Sequence, residues 1–123
     1  MSKRQSGPRK LSREERREEA LRPSRYLGYD RDTLGVHLVS CHAYALAAAQ
    51  LRRAIWLNPS EPRFKEHLAC CLYKQERYRE AREWILKALE QKEDEGFRHT
   101  LNLIEQRLSA EASSSDSEAE GRG

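Results

Sequence analysis

Residues 73–90 read YKQERYREAREWILKALE, and the spacing of their apolar side chains decides the fold. Those side chains recur three or four positions apart, at Tyr78, Ala81, Ile85, Ala88 and Leu89. This spacing places them in one stripe along an α-helix, with the charged residues on the other faces. We therefore predict an amphipathic helix that packs through the stripe.

A second stripe precedes the first one and starts just after Pro62, a residue favoured in the first turn of a helix. It consists of Phe64, Leu68, Cys71 and Leu72. The residues between the two stripes, KQER at 74–77, are all polar and can form a tight turn. The sequence thus predicts a helical hairpin of about 30 residues, two helices joined by a short loop.

An earlier segment, LGVHLVSCHAYALAAAQLRRAIWLNP at 34–59, repeats this pattern at a constant offset of 34 residues. Eight positions match in character: Leu34 with Leu68, Gly35 with Ala69, Leu38 with Leu72, Tyr44 with Tyr78, Ala47 with Ala81, Leu51 with Ile85, Ala54 with Ala88, and Ile55 with Leu89. A period of 34 residues is that of the tetratricopeptide repeat.

On these residues the chain resembles a tetratricopeptide repeat protein with two repeats, 28–61 and 62–95. The closing proline of the family pattern is Pro59 in the first repeat, whereas Glu93 stands there in the second. The resemblance implies an all-α fold in which antiparallel helical hairpins stack as a short right-handed solenoid. Small residues in that pattern let paired helices approach closely, and large ones fill the remaining space.

The chain departs from the family pattern at four positions. Arg31 and Lys65 replace an aromatic residue of the first helix, and His42 and Glu76 replace a turn glycine. We expect Phe64, next to Lys65, to supply the missing bulk in the second repeat. The first repeat has no substitute, so we expect it to be the less stable one.

Three further segments flank the repeats. Residues 96–109 carry Phe97, Leu101, Ile104 and Leu108 three or four apart, which predicts a capping helix over the second repeat. Residues 1–25 hold nine Lys or Arg against four Glu and are expected to be a largely disordered basic arm, with a helix allowed at 12–21 behind a Ser12–Glu15 capping box. Residues 110–123 are acidic and Ser-rich and are expected to be disordered.

The sequence lacks the common motifs of catalysis and metal binding. It contains no phosphate-binding loop, nucleophile elbow or zinc-protease motif. His37 and Cys41 have a spacing that could hold a metal or activate a thiol, but no third ligand is evident, and we interpret them as a half-buried His and a small apolar Cys. We therefore expect no enzymatic activity, no metal and no cofactor.

The cellular location is predicted from cysteines and hydropathy. The three cysteines form no CxxC pair, which favours free thiols in a reducing compartment. No apolar run approaches the roughly 18 residues of a membrane span, and no apolar segment follows the charged start as in a secretory signal. We therefore expect a cytoplasmic protein without a membrane partner.

The resemblance implies a protein-binding adaptor whose first helices line a concave groove. Carried over position by position, the groove residues are Tyr29, Asp32, Val36, Val39, Arg63, Glu66, Cys70, Tyr73 and Lys74. Tyr73 is expected to be exposed there. The family's carboxylate-clamp positions fall on Asp32, Val36, His67, Phe97 and Leu101, and none of them matches the clamp. We therefore expect a ligand with apolar or aromatic residues rather than an acidic chaperone tail.

One alternative function stays open, an RNA- or ribosome-associated factor that uses the basic arm. Its candidate phosphate contacts are Lys3, Arg4, Arg9, Lys10, Arg13, Arg16 and Arg17. No aromatic residue is interleaved among them to stack on bases, and four glutamates dilute the charge, which leaves at most weak nucleic-acid contact. Self-association through an uncovered end of the array also stays open.

Overall fold

The computed structural model describes residues 10–21 and 27–122. Within these ranges the chain forms six α-helices and no strand, so the predicted all-α class is confirmed there. The helices are α1 (Arg13–Leu21), α2 (Tyr29–Ser40), α3 (Tyr44–Leu57), α4 (Pro62–Lys74), α5 (Tyr78–Gln91) and α6 (Glu95–Arg122). The rest of the expected basic arm, at 1–9 and 22–25, lies outside the described residues.

The helices from α2 onward pack in two layers. From α2 onward each helix packs against the next one along the chain, and α4 also packs against both α2 and α6, whereas the backbones of α3 and α5 stay more than 8 Å apart. Helices α2, α4 and α6 therefore form one layer, and α3 and α5 form the other. Along the described segments, no helix combines the length and the hydropathy that crossing a membrane requires.

The local structure of α2–α3 recurs in α4–α5 at the offset of 34 residues. Helix α3 spans residues 44–57 and α5 spans 78–91, and the turn before each contains a non-glycine residue with positive φ, His42 (61°) and Glu76 (63°). The backbone bonds that close these turns are Ala43 N to Leu38 O and Arg77 N to Leu72 O, both 2.9 Å. The two positions where the family has a turn glycine thus keep the backbone that glycine favours.

The buried core follows the predicted stripes of the second helix pair. Side chains of both α4 and α5 are buried as expected: Phe64, Leu68, Cys71, Leu72, Tyr78, Ala81, Ile85 and Ala88. Phe64 is fully buried and meets the Tyr29 ring edge-on, with centroids 4.9 Å apart. Phe64 therefore supplies bulk beside Lys65, as predicted.

The first helix pair is less buried than its pattern predicts. Leu34 is 42% exposed, whereas its counterpart Leu68 is fully buried. Matching character at these two positions therefore does not give equal burial, because α3 covers α4 but no described helix covers α2 in the same way. Leu38 is likewise only half-buried, whereas Leu72 is fully buried.

Small residues allow the two helices of each pair to approach closely. A Cβ atom on Gly35 would lie 2.7 Å from Cγ of Leu51. Helix α3 therefore packs directly against the backbone of α2 at Gly35, where a larger residue would clash. The equivalent Ala69 and the two facing alanines, Ala47 and Ala81, are fully buried. The small residues of the repeated pattern thus lie at helix–helix contacts, as predicted.

Helix α6 covers α5 and is longer than the sequence predicts. Phe97, Leu101 and Ile104 are buried and Leu108 packs beside them, as expected of a cap. The helix runs to Arg122 instead of ending at 109, and the side chains at 109–114 are exposed. The side chains described at 109–114 are not buried, and the expected disorder of 110–123 in solution stays a prediction.

At the other end of the chain, α1 begins with the predicted capping box. The Ser12 amide donates to Glu15 Oε2 at 2.8 Å, and the Glu15 amide donates to Ser12 Oγ at 3.1 Å. Both bonds satisfy amides that the first turn would leave unpaired. The helix expected at 12–21 is therefore present as α1.

Candidate functional site

The layer of α2, α4 and α6 presents one continuous surface, which three side-chain contacts between these helices mark. Asp32 on α2 is bonded to His67 on α4, Cys70 on α4 is hydrogen-bonded to Thr100 on α6, and Arg107 on α6 donates to the Tyr73 hydroxyl at 3.4 Å. We call this the inner surface. By helical spacing from these contacts, its side chains are Val36, Val39, Arg63, Glu66, His67, Cys70, Tyr73, Lys74, Thr100, Leu103 and Arg107.

Asp32 was predicted to contact the ligand, but the structure places it in an internal pair. It is almost fully buried, and its Oδ1 lies 2.6 Å from Nδ1 of His67. Burial alone would lower the pKa of His67, but the hydrogen bond and the charge of Asp32 outweigh that effect and raise it. Asp32 therefore joins α2 to α4, and His67 is the more accessible member of the pair.

Cys70 and Glu66 form a second internal pair on this surface. The Cys70 thiol donates to Glu66 Oε2 at 3.2 Å. Burial, together with the negative charge of Glu66, raises the pKa of Cys70 to about 12. The thiol therefore stays protonated and unreactive at neutral pH, and Cys70 contributes shape and a weak dipole to the surface.

Tyr73 is less exposed than the sequence predicted. Its ring meets the Tyr78 ring edge-on at a centroid distance of 5.4 Å and packs against the core cluster. The expectation of an exposed aromatic is wrong in this respect, because α6 brings Arg107 over the hydroxyl. Part of Tyr73 remains accessible, so it joins the core to the inner surface.

The side chains left available on the inner surface are apolar or basic. Val36 and Leu103 are the exposed large apolar residues, and Val39 is half-buried. Arg63 and Lys74 are exposed; Arg63 lies 3.5 Å from Glu61 on the neighbouring turn. Tyr29, at the start of α2, is partly exposed and packs on Phe64 rather than standing free.

Sequence reasoning missed the contribution of α6, namely Thr100, Leu103 and Arg107. Helix α6 starts 33 residues after α4, because the connection at 92–94 is one residue shorter than the one at 58–61. The buried pairs Phe64 and Phe97, and Leu68 and Leu101, keep this offset of 33. This change of offset from 34 to 33 in the apolar stripe could have indicated which residues of α6 lie beside α4. Phe97 and Leu101, which fall on clamp positions of the family pattern without matching them, are buried in the core as the predicted capping stripe requires.

Lys65 is a buried polar group next to this site that the sequence reading treated only as a lost aromatic. Its Nζ donates to the carbonyl of Pro59 and to Oε1 of Gln91, both at 2.6 Å. Gln91 Nε2 donates to the same carbonyl at 2.8 Å. Burial and the charge of Lys87 lower the pKa of Lys65. Lys65 thus connects the loop before α4 to the end of α5.

The candidate metal or thiol pair is exposed, not half-buried as predicted. Cys41 Sγ lies 3.7 Å from Nε2 of His37 at the end of α2. Both side chains are open to solvent because no described helix covers this face of α2. Among the residues that the structure describes, no third His, Cys, Asp or Glu completes a metal-binding group.

Comparison with known proteins adds no relative from which a function could be transferred. The chain matches no protein-family model and, at the significance required, no curated protein sequence. The structure alone therefore assigns the class of the molecule. Over the described residues it is an all-α protein whose helices pack in two layers.

Proposed function

We propose that this protein is a non-catalytic adaptor that binds a peptide or a segment of a partner protein on its inner surface. In this proposal the chain is a short right-handed tetratricopeptide-type solenoid of two hairpins and a capping helix. The support is an offset of 34 residues that is shared by the bounds of α3 and α5, the last residues of α2 and α4, the turn backbone and the turn-closing bonds. In that architecture the inner surface is the concave groove.

One observation carries the binding proposal: exposed apolar side chains lie on two helices of the same layer, with cations beside them. Val36 and Leu103 offer aliphatic contacts, and Lys74 and Arg107 offer charge. The acidic groups nearby, Asp32 and Glu66, already accept hydrogen bonds within the protein. The expected ligand therefore has aliphatic or aromatic residues flanked by carboxylates.

The proposed compartment is the reducing cytoplasm. Cys41, Cys70 and Cys71 are all free thiols. Free cysteines are typical of proteins in reducing compartments, where disulfides do not persist.

The test compares partner binding between variants of the two layers. A partner recovered with the full chain is identified by mass spectrometry, and its affinity is then measured by calorimetry. Val36→Ser with Leu103→Ser should weaken binding by about 2 kcal/mol, since exposed anchors dominate such contacts. Leu46→Ser, an exposed leucine on α3 of the other layer, is the matched control and should not change the affinity.

Circular dichroism of each variant establishes that the fold is retained, because none of the three positions is buried. Unchanged affinity of the folded double variant would remove the inner surface from the proposal. Tyr73→Ala is a weaker test than the sequence suggested, since Tyr73 also packs against the core.

A further inference from the structure

The side of α3 that faces away from the other described helices carries an apolar stripe. Leu46, Ala49, Arg53 and Trp56 are three or four residues apart, so they share one helix face over a length of about 15 Å. All four are exposed, Leu46 to 63% and Trp56 to 69%. We call these four residues the Trp56 surface.

Helix α5 provides an internal reference for this face. It lies in the same layer as α3 and in the same register, and its equivalent residues are Glu80, Glu83, Lys87 and Glu90. On α5, where this face is exposed to water, all four positions are therefore occupied by charged side chains. A single exposed leucine is ordinary, but a leucine and a tryptophan on one stripe of one helix mark a contact site.

The charge of α3 adds a second distinction. The helix contains no Asp or Glu, and it carries Arg52 and Arg53 side by side. Arg52 lies 3.8 Å from Glu80 of α5, whereas Arg53 forms no ion pair with any carboxylate in the described part of the chain. Arg53 therefore has its charge available for a partner.

Arg53 also holds Trp56 in place. The guanidinium carbon lies 4.4 Å from the centre of the Trp56 ring, which is within the range of a cation–π interaction. This contact covers one side of the indole and reduces the conformational freedom that binding would otherwise remove. Trp56 nevertheless remains 69% exposed, so much of the indole is accessible to a partner.

We propose that the Trp56 surface docks an amphipathic α-helix of a partner protein, one that carries aliphatic residues three or four apart and a carboxylate. The aliphatic residues pack on Leu46 and Trp56, and the carboxylate pairs with Arg53. Ala49, between them, is small enough to let a second helix approach closely. Tryptophan and arginine are also the residues that contribute most often to binding energy at protein interfaces.

Two other occupants fit the surface less well. A membrane surface is flat and would extend over both helices of this layer, so its anionic headgroups would also face Glu80, Glu83 and Glu90 of α5, whereas a single helix docked along α3 does not have to extend over them. A second copy of α3 packed face to face would bring two arginine-bearing helices together without a carboxylate on either of them. Charge complementarity therefore favours an acidic helix from another protein.

The experiment selects ligands without assuming their sequence. Phage-displayed random peptides, long enough for four helical turns, are selected on the full chain, and the enriched sequences are synthesised. We expect them to carry aliphatic residues at helical spacing and an excess of Asp and Glu. Their affinity is measured by fluorescence anisotropy for the wild type and for Leu46→Glu with Trp56→Glu, which gives α3 the residues of α5. The double variant should bind at least about tenfold more weakly.

Two controls make the assignment specific. Val36→Ser with Leu103→Ser alters the inner surface and should leave this affinity unchanged, so the outcome is independent of the proposed groove. Arg53→Glu should weaken binding of the acidic peptides and strengthen binding of copies in which Lys replaces Glu. This reversal of preference requires the peptide charge to lie next to residue 53.

Four results would overturn the proposal. The enriched peptides could lack acidic residues, or their binding could depend on Val36 and Leu103 instead of Leu46 and Trp56. Sedimentation could show a dimer that the Leu46→Glu, Trp56→Glu variant dissociates, which would make the surface a contact between copies. Finally, vesicles containing phosphatidylserine could bind the wild type but not that variant, which would assign the surface to a membrane.

Discussion

The two helix pairs, α2–α3 and α4–α5, carry the same repeated pattern of apolar residues, but fewer of these residues are buried in the first pair. Leu68 and Leu72 of α4 are fully buried, whereas Leu34 and Leu38 of α2 are not. The turn inside each pair has the same backbone, including the positive φ of His42 and Glu76. The difference lies in the neighbours, because α4 has helices on both sides and α2 has a described one on only one side. A repeated pattern thus predicts which residues can pack, and an adjacent helix decides which of them do.

The largest expected effect is at the leucine pair. Leu68→Ala should lower the free energy of unfolding by about 3 kcal/mol, since it leaves a cavity in a fully buried site. Leu34→Ala should cost less than about 1 kcal/mol, because water already reaches Leu34. Urea unfolding of both variants measures the difference. Equal losses would mean that α2 is covered in solution.

The second prediction concerns a large side chain placed where the helix–helix contact has room only for a small one. Ala81→Leu should lower the free energy of unfolding by about 2 kcal/mol, because Ala81 is fully buried at the contact between α4 and α5. Ala45→Leu, exposed on α3, is the control and should be close to neutral. A neutral Ala81→Leu in thermal melts would contradict the helix register.

The pair of Asp32 and His67 should make stability depend on pH. The pKa of His67 is raised in the folded protein, so the pair stabilises most at a pH below the ordinary value of a histidine, and this contribution is lost as the pH rises through the raised value. Asp32→Asn should therefore cost about 1 kcal/mol near pH 6 and clearly less near pH 9. Denaturant titrations at both pH values measure this. A loss that grows with pH would contradict the assignment.

Glycine in the turns before α3 and α5 should make the protein more stable than the residues now at those positions. Glu76→Gly and His42→Gly should each raise the free energy of unfolding by about 0.5 kcal/mol, because a positive φ is strained for a side chain and free for glycine. Glu76 is the cleaner test, since His42 also contacts the Tyr44 hydroxyl at 2.8 Å. Lower melting temperatures would show that the turns carry no such strain.

The smallest effect is expected at the ends. Removing residues 110–123 should change the free energy of unfolding by less than about 0.5 kcal/mol, because the side chains described there are exposed. Limited proteolysis should remove this segment and roughly the first 25 residues before it cuts elsewhere. Early cleavage between residues 60 and 95 would contradict a stable helical core.

The candidate site was predicted in part. The α2 and α4 residues that the resemblance selected lie on the layer shared with α6, but two of them are engaged internally, Asp32 with His67 and Cys70 with Glu66. A repeat pattern assigns positions on a helix face and carries no information on which polar groups pair with each other across helices. The contribution of α6 was missed for a different reason, since a connection one residue shorter shifts the pattern from 34 to 33.

The sequence by itself determined the helices, their order and the second core stripe, because apolar spacing, a first-turn proline and polar turns act within one or two helical turns of the chain. Only the tertiary structure decided which copy of each matched position is buried, why Lys65 can be buried, and where α6 meets Tyr73 and Cys70. These outcomes depend on neighbours that are distant along the chain: α3 for Leu68, the Pro59 carbonyl and Gln91 for Lys65, and a helix 33 residues away for Tyr73. Burial is a property of contacts between elements, and a single stretch of sequence specifies only one side of each contact.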